Sequence, residues 1–232
     1  MNNRVLLIGS SGMLGSEIYK KIESLCSVIP TSFNNSYKNS LYMDIRDFKN
    51  VRKIVIEYNP DTIINCAAYT NVDKCESNKL LARDINVVGM KNIIKASKKN
   101  TKIIQISSDY VFDGKKGSYS EDDMTYPINY YGKTKLEAEN ILIGSGLPYV
   151  IFRPNVLYGD SFQYCNFLTW VVKSLRENKK ISVVSDQKSN PTYIRELVNA
   201  IFTSIIVDFR GLLHIGSKDV ISRLDFANII SD

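Results

Sequence analysis

The stretch Arg4–Ile8 followed by Gly9-Ser-Ser-Gly12-Met-Leu-Gly15 constrains this chain more than any other. A short apolar run leads into glycines spaced GxxGxxG. Apolar Met13, Leu14, Ile18 and Ile22 then recur at helical spacing. The pattern reads as a buried strand, a tight turn and a helix over 13–25. Glycines at such a turn let a pyrophosphate approach the helix N-terminus, where free N–H groups and the helix dipole favour negative charge. The same residues would also serve as a plain strand-to-helix turn, so the rest of the chain must supply the partners.

The alternation continues. Strands are expected over 28–29, 41–43, 62–66, 102–106 and 149–152. Helices are expected over 48–58, closed by Asn59-Pro60, then over 79–98 and 129–143. Short apolar strands alternating with helices imply an α/β chain, a Rossmann-type doubly wound parallel sheet covered on both faces. Beyond about residue 155 the regularity loosens. A helix over 162–176, a strand over 181–184, a helix over 193–207 and a strand over 212–215 are expected, and Ser222 is a good N-cap for a last helix. This divides the chain into an NAD(P)-binding Rossmann domain over 1–155 and a small C-terminal substrate lobe over 156–232, interleaved with the sheet. The last helix reaches Asp232 with nothing beyond to finish the lobe, which points to a truncated lobe.

Composition removes several classes. With 44% hydrophobic and 23% charged residues among 232, a packed core is expected and wholesale disorder is not. No apolar run approaches the roughly 18 residues of a membrane span, and the N-terminus lacks a secretory signal. Four cysteines without a CxxC spacing and a single histidine argue against a zinc site or any other metal site, a disulfide framework and a histidine-dependent triad. A reducing, cytoplasmic compartment fits. The net charge of +6 is spread along the chain, which suits an anionic small ligand and not a nucleic-acid surface.

In a NAD-preferring sheet an acidic residue ends the second strand and holds the ribose 2′-hydroxyl. Here that stretch reads Ile29-Pro-Thr-Ser-Phe-Asn-Asn35. It has no carboxylate to repel a 2′-phosphate, so NADPH is tolerated. It has no arginine either, so the preference over NADH is soft. Asp44, after the third strand, is placed to bind the adenine amino group; a turn or N-cap role is its alternative.

Tyr131-Gly-Lys-Thr-Lys135 is a YxxxK spacing at the start of a helix, so phenol and ammonium share one face. A nearby cation would lower the tyrosine pKa and fit it for acid–base work. A chain with 14 tyrosines contains such a pair by chance, so position matters more than spacing. Ile103-Ile-Gln-Ile-Ser-Ser-Asp109 is a strand ending in hydroxyls, and ligands of open parallel sheets bind beyond such ends. Ser108 could there hydrogen-bond a substrate carbonyl, or merely cap the loop. Ser108, Tyr131 and Lys135 together supply a polarised carbonyl oxygen, a proton source and a cation.

The set GSSGMLG, NCAAYTNVDKCE, ISSDYVFDG, YYGKTK and FRPNVLYG resembles the extended short-chain dehydrogenases/reductases, and SSDYVFDG with SDQKSNPTY most resembles the dTDP-4-dehydrorhamnose reductase family. The resemblance implies NAD(P)H-dependent reduction of a nucleotide-activated 4-keto-6-deoxy sugar. It implies a cofactor site of Gly9, Gly12, Met13, Leu14, Gly15, Asp44, Ile45, Ala67, Ala68, Thr70, Tyr131 and Lys135. Ser108, Tyr131 and Lys135 would be catalytic, and Ser108, Asp109 and Val156 would meet the sugar. The family commonly places a tryptophan where Val156 stands. A nucleotide-sugar partner follows from the resemblance, and a homodimer is compatible with it. Two other readings share the fold: a non-catalytic NADP-binding regulatory protein, and a nucleotide-sugar epimerase. Of the remaining residues, His214 is expected half-buried in a strand, Trp170 in the core, and Thr192 as a helix N-cap.

Overall fold

The computed structural model of the chain describes residues 3–34 and 39–232; Asn35, at the end of the stretch read above for cofactor preference, lies outside them. The first half alternates as its apolar runs require. In order come β1 (Arg4–Ile8), α1 (Met13–Ile22), β2 (Ser27–Ser32), β3 (Leu41–Tyr42), α2 (Phe48–Tyr58), β4 (Thr62–Asn65), α3 (Val72–Ser77), α4 (Lys79–Arg83), a π-helical turn (Asp84–Val88), α5 (Gly89–Ala96), β5 (Lys102–Ile106), a 3-10 turn (Asp109–Val111), α6 (Tyr130–Gly144) and β6 (Tyr149–Pro154). The second half contributes β7 (Leu157–Tyr158), α7 (Phe167–Arg176), β8 (Lys188–Ser189), β9 (Thr192–Tyr193), α8 (Ile194–Ile206), β10 (Gly211–Ile215), β11 (Ile221–Ser222) and α9 (Arg223–Ser231).

Seven strands form one parallel sheet in the order β10-β6-β5-β4-β1-β2-β3. Alternate side chains of each strand face opposite layers. Leu6, Ile8, Ile63, Ile103 and Ile151 pack with the α2 and α5 residues Val51, Ile54, Met90 and Ile93. Val5, Leu7, Ile64, Ile104, Val150 and Phe152 pack with Leu14 and Ile18 of α1 and Leu197 and Ile201 of α8. The chain runs outward from β1 to β3, then returns to place β4 on the other side of β1. The switch point therefore lies between β1 and β4, where ligands of such sheets bind.

Several expectations need correction. The second strand continues through Pro30 because Thr31 turns its backbone toward β1, accepting from Gly9 N–H, so Pro30 faces the other edge, which β3 pairs only from Thr31 onward. The helix expected over 79–98 breaks into α4, the π turn and α5, and α3 precedes it, capped by the Asn71 side chain on Lys74 N–H. Residues 181–184 form no strand: their burial alternates only between half-buried and exposed, so no face of the segment is buried enough to be held in a sheet. Helix α7 starts at Phe167, behind an Asn166–Thr169 capping box, because the preceding residues reach across to the glycine loop. Trp170 is 37% exposed and lies outside the core, its ring 5.8 Å from that of Phe167. Thr192 caps no helix; its hydroxyl donates to Asn155 O and Ile215 O and ties β9 to the ends of β6 and β10. Ser222 does cap α9, in a box with Asp225, and His214 is half-buried in β10.

After β6 the chain builds a small lobe. β7 pairs with β9 and β8 with β11, and the Phe226 ring of α9 sits 5.2 Å from Tyr158 and 5.3 Å from Phe167. The lobe touches the first loop of the sheet: the Tyr164 hydroxyl donates to Ser11 O at 3.0 Å. Among the described residues no helix is long and apolar enough to cross a membrane.

Candidate active site

The glycine loop separates into two kinds of glycine. Gly9 takes φ +80, and a Cβ there would sit 3.0 Å from Ala67 N. A Cβ on Gly15 would lie 2.1 Å from Gly9 O. The protein itself demands both. Gly12 has an ordinary φ of −78, and a Cβ there would meet only Gly9 O, at 3.4 Å, with open space beyond. It stands at the N-cap of α1 without a side-chain cap, and among the described residues the N–H groups of Met13 and Leu14 find no acceptor. An exposed cradle, bare N–H groups and a helix dipole fit a pyrophosphate. Packing does not explain Gly12, since a side chain there would meet little. Gly12→Ala is therefore expected to cost under about 1 kcal/mol in denaturation while weakening NADPH binding by about tenfold or more, equivalent to ~1.4 kcal/mol. Gly15→Ala is expected to lose about 1–3 kcal/mol of stability by overpacking. Equal behaviour of the two variants in melting and binding would contradict this division.

The second part of the site hangs on α6. Asn129 caps it, accepting from Gly132 N–H at 2.7 Å. A Cβ on Gly132 would lie 2.0 Å from Tyr110 O, so the helix is pressed against the 3-10 turn that follows β5. This close approach brings Tyr131 to Ser108. The Tyr131 ring, 8% exposed, meets Tyr110 edge-on at 5.7 Å. Ser108 donates to Asp109 Oδ1 at 2.9 Å and accepts from Tyr110 N–H at 3.2 Å, so it caps the turn as well as facing the tyrosine. Asn86, on the π turn, holds Thr134 Oγ1 at 2.9 Å and both backbone groups of Tyr69, fixing α6 to the loop after β4.

The electrostatics differ from expectation. The Tyr131 phenol is raised well above the usual tyrosine value, first by burial and then by the Asp109 carboxylate; the Ser108 hydroxyl opposes this. The net shift is upward even though Lys135 lies one turn along the same helix. The ammonium is turned to Ile106 O, to which it donates at 2.5 Å, and burial pushes the lysine down to about 8 against the pull of Glu139. The tyrosine therefore holds its proton, which suits a proton donor better than a base. Burial likewise raises Asp109, opposed by the Ser108 hydrogen bond and Arg223.

The other residues singled out in the sequence fall into place around these. Ala67 and Ala68 are half-buried after β4, beside Gly9, and Thr70 is exposed. Ile45 is buried against Gly89, where a Cβ would come within 2.5 Å of its Cδ1. The Asp44 carboxylate is occupied by Arg46, with Nε at 2.9 Å and Nη2 at 2.7 Å, and lies below the usual carboxylate range first because of that hydrogen bond. Val156 has φ +37, a strained conformation for a β-branched residue, fixed by the Thr192 N–H on its carbonyl at 3.2 Å.

One group was missed in the sequence. Glu139, one turn beyond Lys135 and 1% exposed, receives Arg153 Nε at 3.0 Å, Arg153 Nη2 at 2.7 Å and the Ser107 hydroxyl. Arg153 also approaches His214 Nε2 at 3.3 Å and stacks over Phe112 at 5.2 Å. The available signal was the continuation of YxxxK to a glutamate at the next i+4 position, facing the arginine of Phe-Arg-Pro.

The sheet order, the loop at its switch point and the phenol–hydroxyl–ammonium set at the strand ends define an extended short-chain dehydrogenase/reductase. The chain belongs to the family described as RmlD substrate binding domain, whose model matches residues 3–232. It is similar to dTDP-4-dehydrorhamnose reductase of Aggregatibacter actinomycetemcomitans, 31% identical over 99% of this chain and 78% of that protein. It is also similar to methionine adenosyltransferase 2 subunit beta of Xenopus tropicalis, 32% identical over 84% of this chain and 60% of that protein. The crystal structure of dTDP-4-dehydrorhamnose reductase from Bacillus anthracis in complex with NADP superposes with a TM-score of 0.90, at 33% identity, over 99% of this chain and 80% of that one.

Proposed function

We propose that the chain reduces the keto group of a dTDP-activated 4-keto-6-deoxy sugar, with NADPH or NADH as reductant, in nucleotide-sugar biosynthesis. The observation that carries this is the buried Tyr131, kept protonated beside Ser108 and Asp109 at the end of β5. A ketone gaining a hydride needs a proton on its oxygen, and a phenol that holds its proton until the oxygen becomes an alkoxide supplies one. When bound, the dinucleotide supplies the hydride. Ser108 would turn its one hydroxyl proton from Asp109 to the carbonyl oxygen when substrate binds, orienting that oxygen toward the phenol. Lys135 is the cation that would grip the ribose of the cofactor, and Gly9, Gly12, Met13, Leu14 and Gly15 would hold the pyrophosphate, with Asp44, Ile45, Ala67, Ala68 and Thr70 along the rest of its path. Asp109 and Val156 would border the sugar. Four free cysteines agree with a reducing, cytoplasmic setting.

The similarity to a methionine adenosyltransferase subunit favours a second reading, a dinucleotide-binding partner protein without turnover. One assay separates the two: NADPH oxidation on adding dTDP-4-keto-6-deoxy sugar. The reductase consumes NADPH in step with sugar; tight NADPH binding with no consumption supports the second reading. Because burial sets Lys135 near pH 8, turnover is expected to fall as pH rises through about 8 and the ammonium is lost. A profile flat to pH 9.5 would show that Lys135 does not act as a cation.

A further inference from the structure

The end of β2 lacks an arginine in the sequence, but the fold brings one there. Phe33 directly follows β2, and the Arg46 guanidinium carbon lies 5.1 Å from the centre of its ring. In a sheet of this order the residue closing the second strand reads the 2′ position of the adenosine ribose: a carboxylate takes the hydroxyl, an arginine accommodates a phosphate. The sequence supplies neither within the strand; Arg46 arrives from beyond β3.

The guanidinium is also held in one orientation. Its Nε donates to Asp44 Oδ1 at 2.9 Å and to Oδ2 at 3.2 Å, and Nη2 donates to Oδ2 at 2.7 Å. The Arg46 N–H donates to Asp44 Oδ1 at 2.9 Å, and the Arg46 carbonyl accepts from Asn92 Nδ2 at 3.0 Å. Asp44 N–H is in turn fixed on Asn50 Oδ1 at 2.8 Å. One edge of the fork is thus spent on Asp44 and one face on Phe33. Nη1 donates to nothing among the described residues, and the side chain remains 35% exposed. A planar fork with one edge anchored and the other open is suited to phosphate oxygens, and its rotamer freedom is already spent.

Resting on the dinucleotide reading above, we infer that Arg46 is the specificity residue for the 2′-phosphate and makes NADPH the preferred cofactor. The competing role is an ion pair that only staples the turn after β3. The Asp44 carboxylate offsets the arginine charge, so recognition works through directed N–H donors and not through net charge. Hydrogen bonds to charged groups contribute enough to separate the two nucleotides by about 10- to 100-fold.

The test measures dissociation constants for NADPH and NADH by nucleotide fluorescence, in the full chain and in Arg46→Gln and Arg46→Lys, beside their melting curves. The wild type is expected to bind NADPH about 10- to 100-fold more tightly than NADH. Arg46→Gln should weaken NADPH alone and bring the two within a few-fold, and Arg46→Lys should restore only part of the gap because it lacks the fork. A wild-type ratio near one overturns the inference, as does a ratio unchanged in Arg46→Gln. Equal weakening of both nucleotides also overturns it and assigns Arg46 to the turn alone. A wild type that binds neither nucleotide removes the dinucleotide reading and this inference with it, whereas a failed ratio with both bound removes only this inference.

Discussion

Replacing Tyr131 by phenylalanine lowers turnover of the keto sugar by about 100- to 10,000-fold, the range a positioned general acid contributes. The ring stays, so its edge contact with Tyr110 and the packing of α6 on the 3-10 turn persist. Only the hydroxyl facing Ser108 is lost. NADPH affinity is expected to change by no more than a few-fold, because the glycine loop lies on β1 and α1, apart from this hydroxyl. Single-turnover NADPH oxidation and fluorescence titration of the same variant measure the two quantities separately. Turnover within threefold of wild type would remove Tyr131 from the chemistry. A proportional loss of binding would make it a cofactor anchor instead of an acid.

The largest expected effect on stability is at Glu139. Glu139→Ala leaves the Arg153 guanidinium, 6% exposed, with its Nε and Nη2 donors unpaired, and it also strands the Ser107 hydroxyl. Breaking a buried ion pair from one side costs about 3–5 kcal/mol. For a chain of this size, roughly 2–4 °C per kcal/mol makes the loss about 6–20 °C in melting temperature. The total stability of a domain is only about 5–15 kcal/mol, so this one carboxylate carries a large share of it. The double variant Glu139→Met with Arg153→Met removes both charges and should recover much of the loss, since a well-packed apolar pair often equals a buried ion pair. A single variant melting within 2 °C of wild type, or a double variant worse than the two singles combined, would contradict this account.

The sheet was legible because its strands are buried on both faces. Val5 to Ile8, Ile63, Ile64, Ile103 and Ile104 form apolar runs that admit little else. The glycine loop was legible for a similar reason: Gly9 and Gly15 answer to local sterics, which spacing records. The Tyr131–Lys135 pair shares a helix face, so local periodicity exposes it too. Contacts between distant elements were not legible. Arg46 reaches Phe33 only because β3 lies beside β2, and Glu139 meets Arg153 only because α6 lies over β6. The influence of Lys135 on Tyr131 was misread for a related reason. Sequence spacing places both side chains on one face but does not show that the ammonium donates to Ile106 O, or that burial dominates at the phenol. Trp170 was misplaced because α7 buries its Thr169, Val171 and Ser174 side and leaves apolar Trp170 and Leu175 exposed.

The seventh strand comes from the far end of the chain. β10 pairs with β6 from Gly211 beside Val150 to Ile215 beside Pro154, and α8 just before it lies over Val150 and Phe152. Residues 1–155 alone would therefore carry an unpaired strand edge at β6 and a stripped apolar flank, both of which invite self-association. A cut after β6 thus exposes interior on both sides of it, because β10 and α8 complete the sheet that the first residues begin.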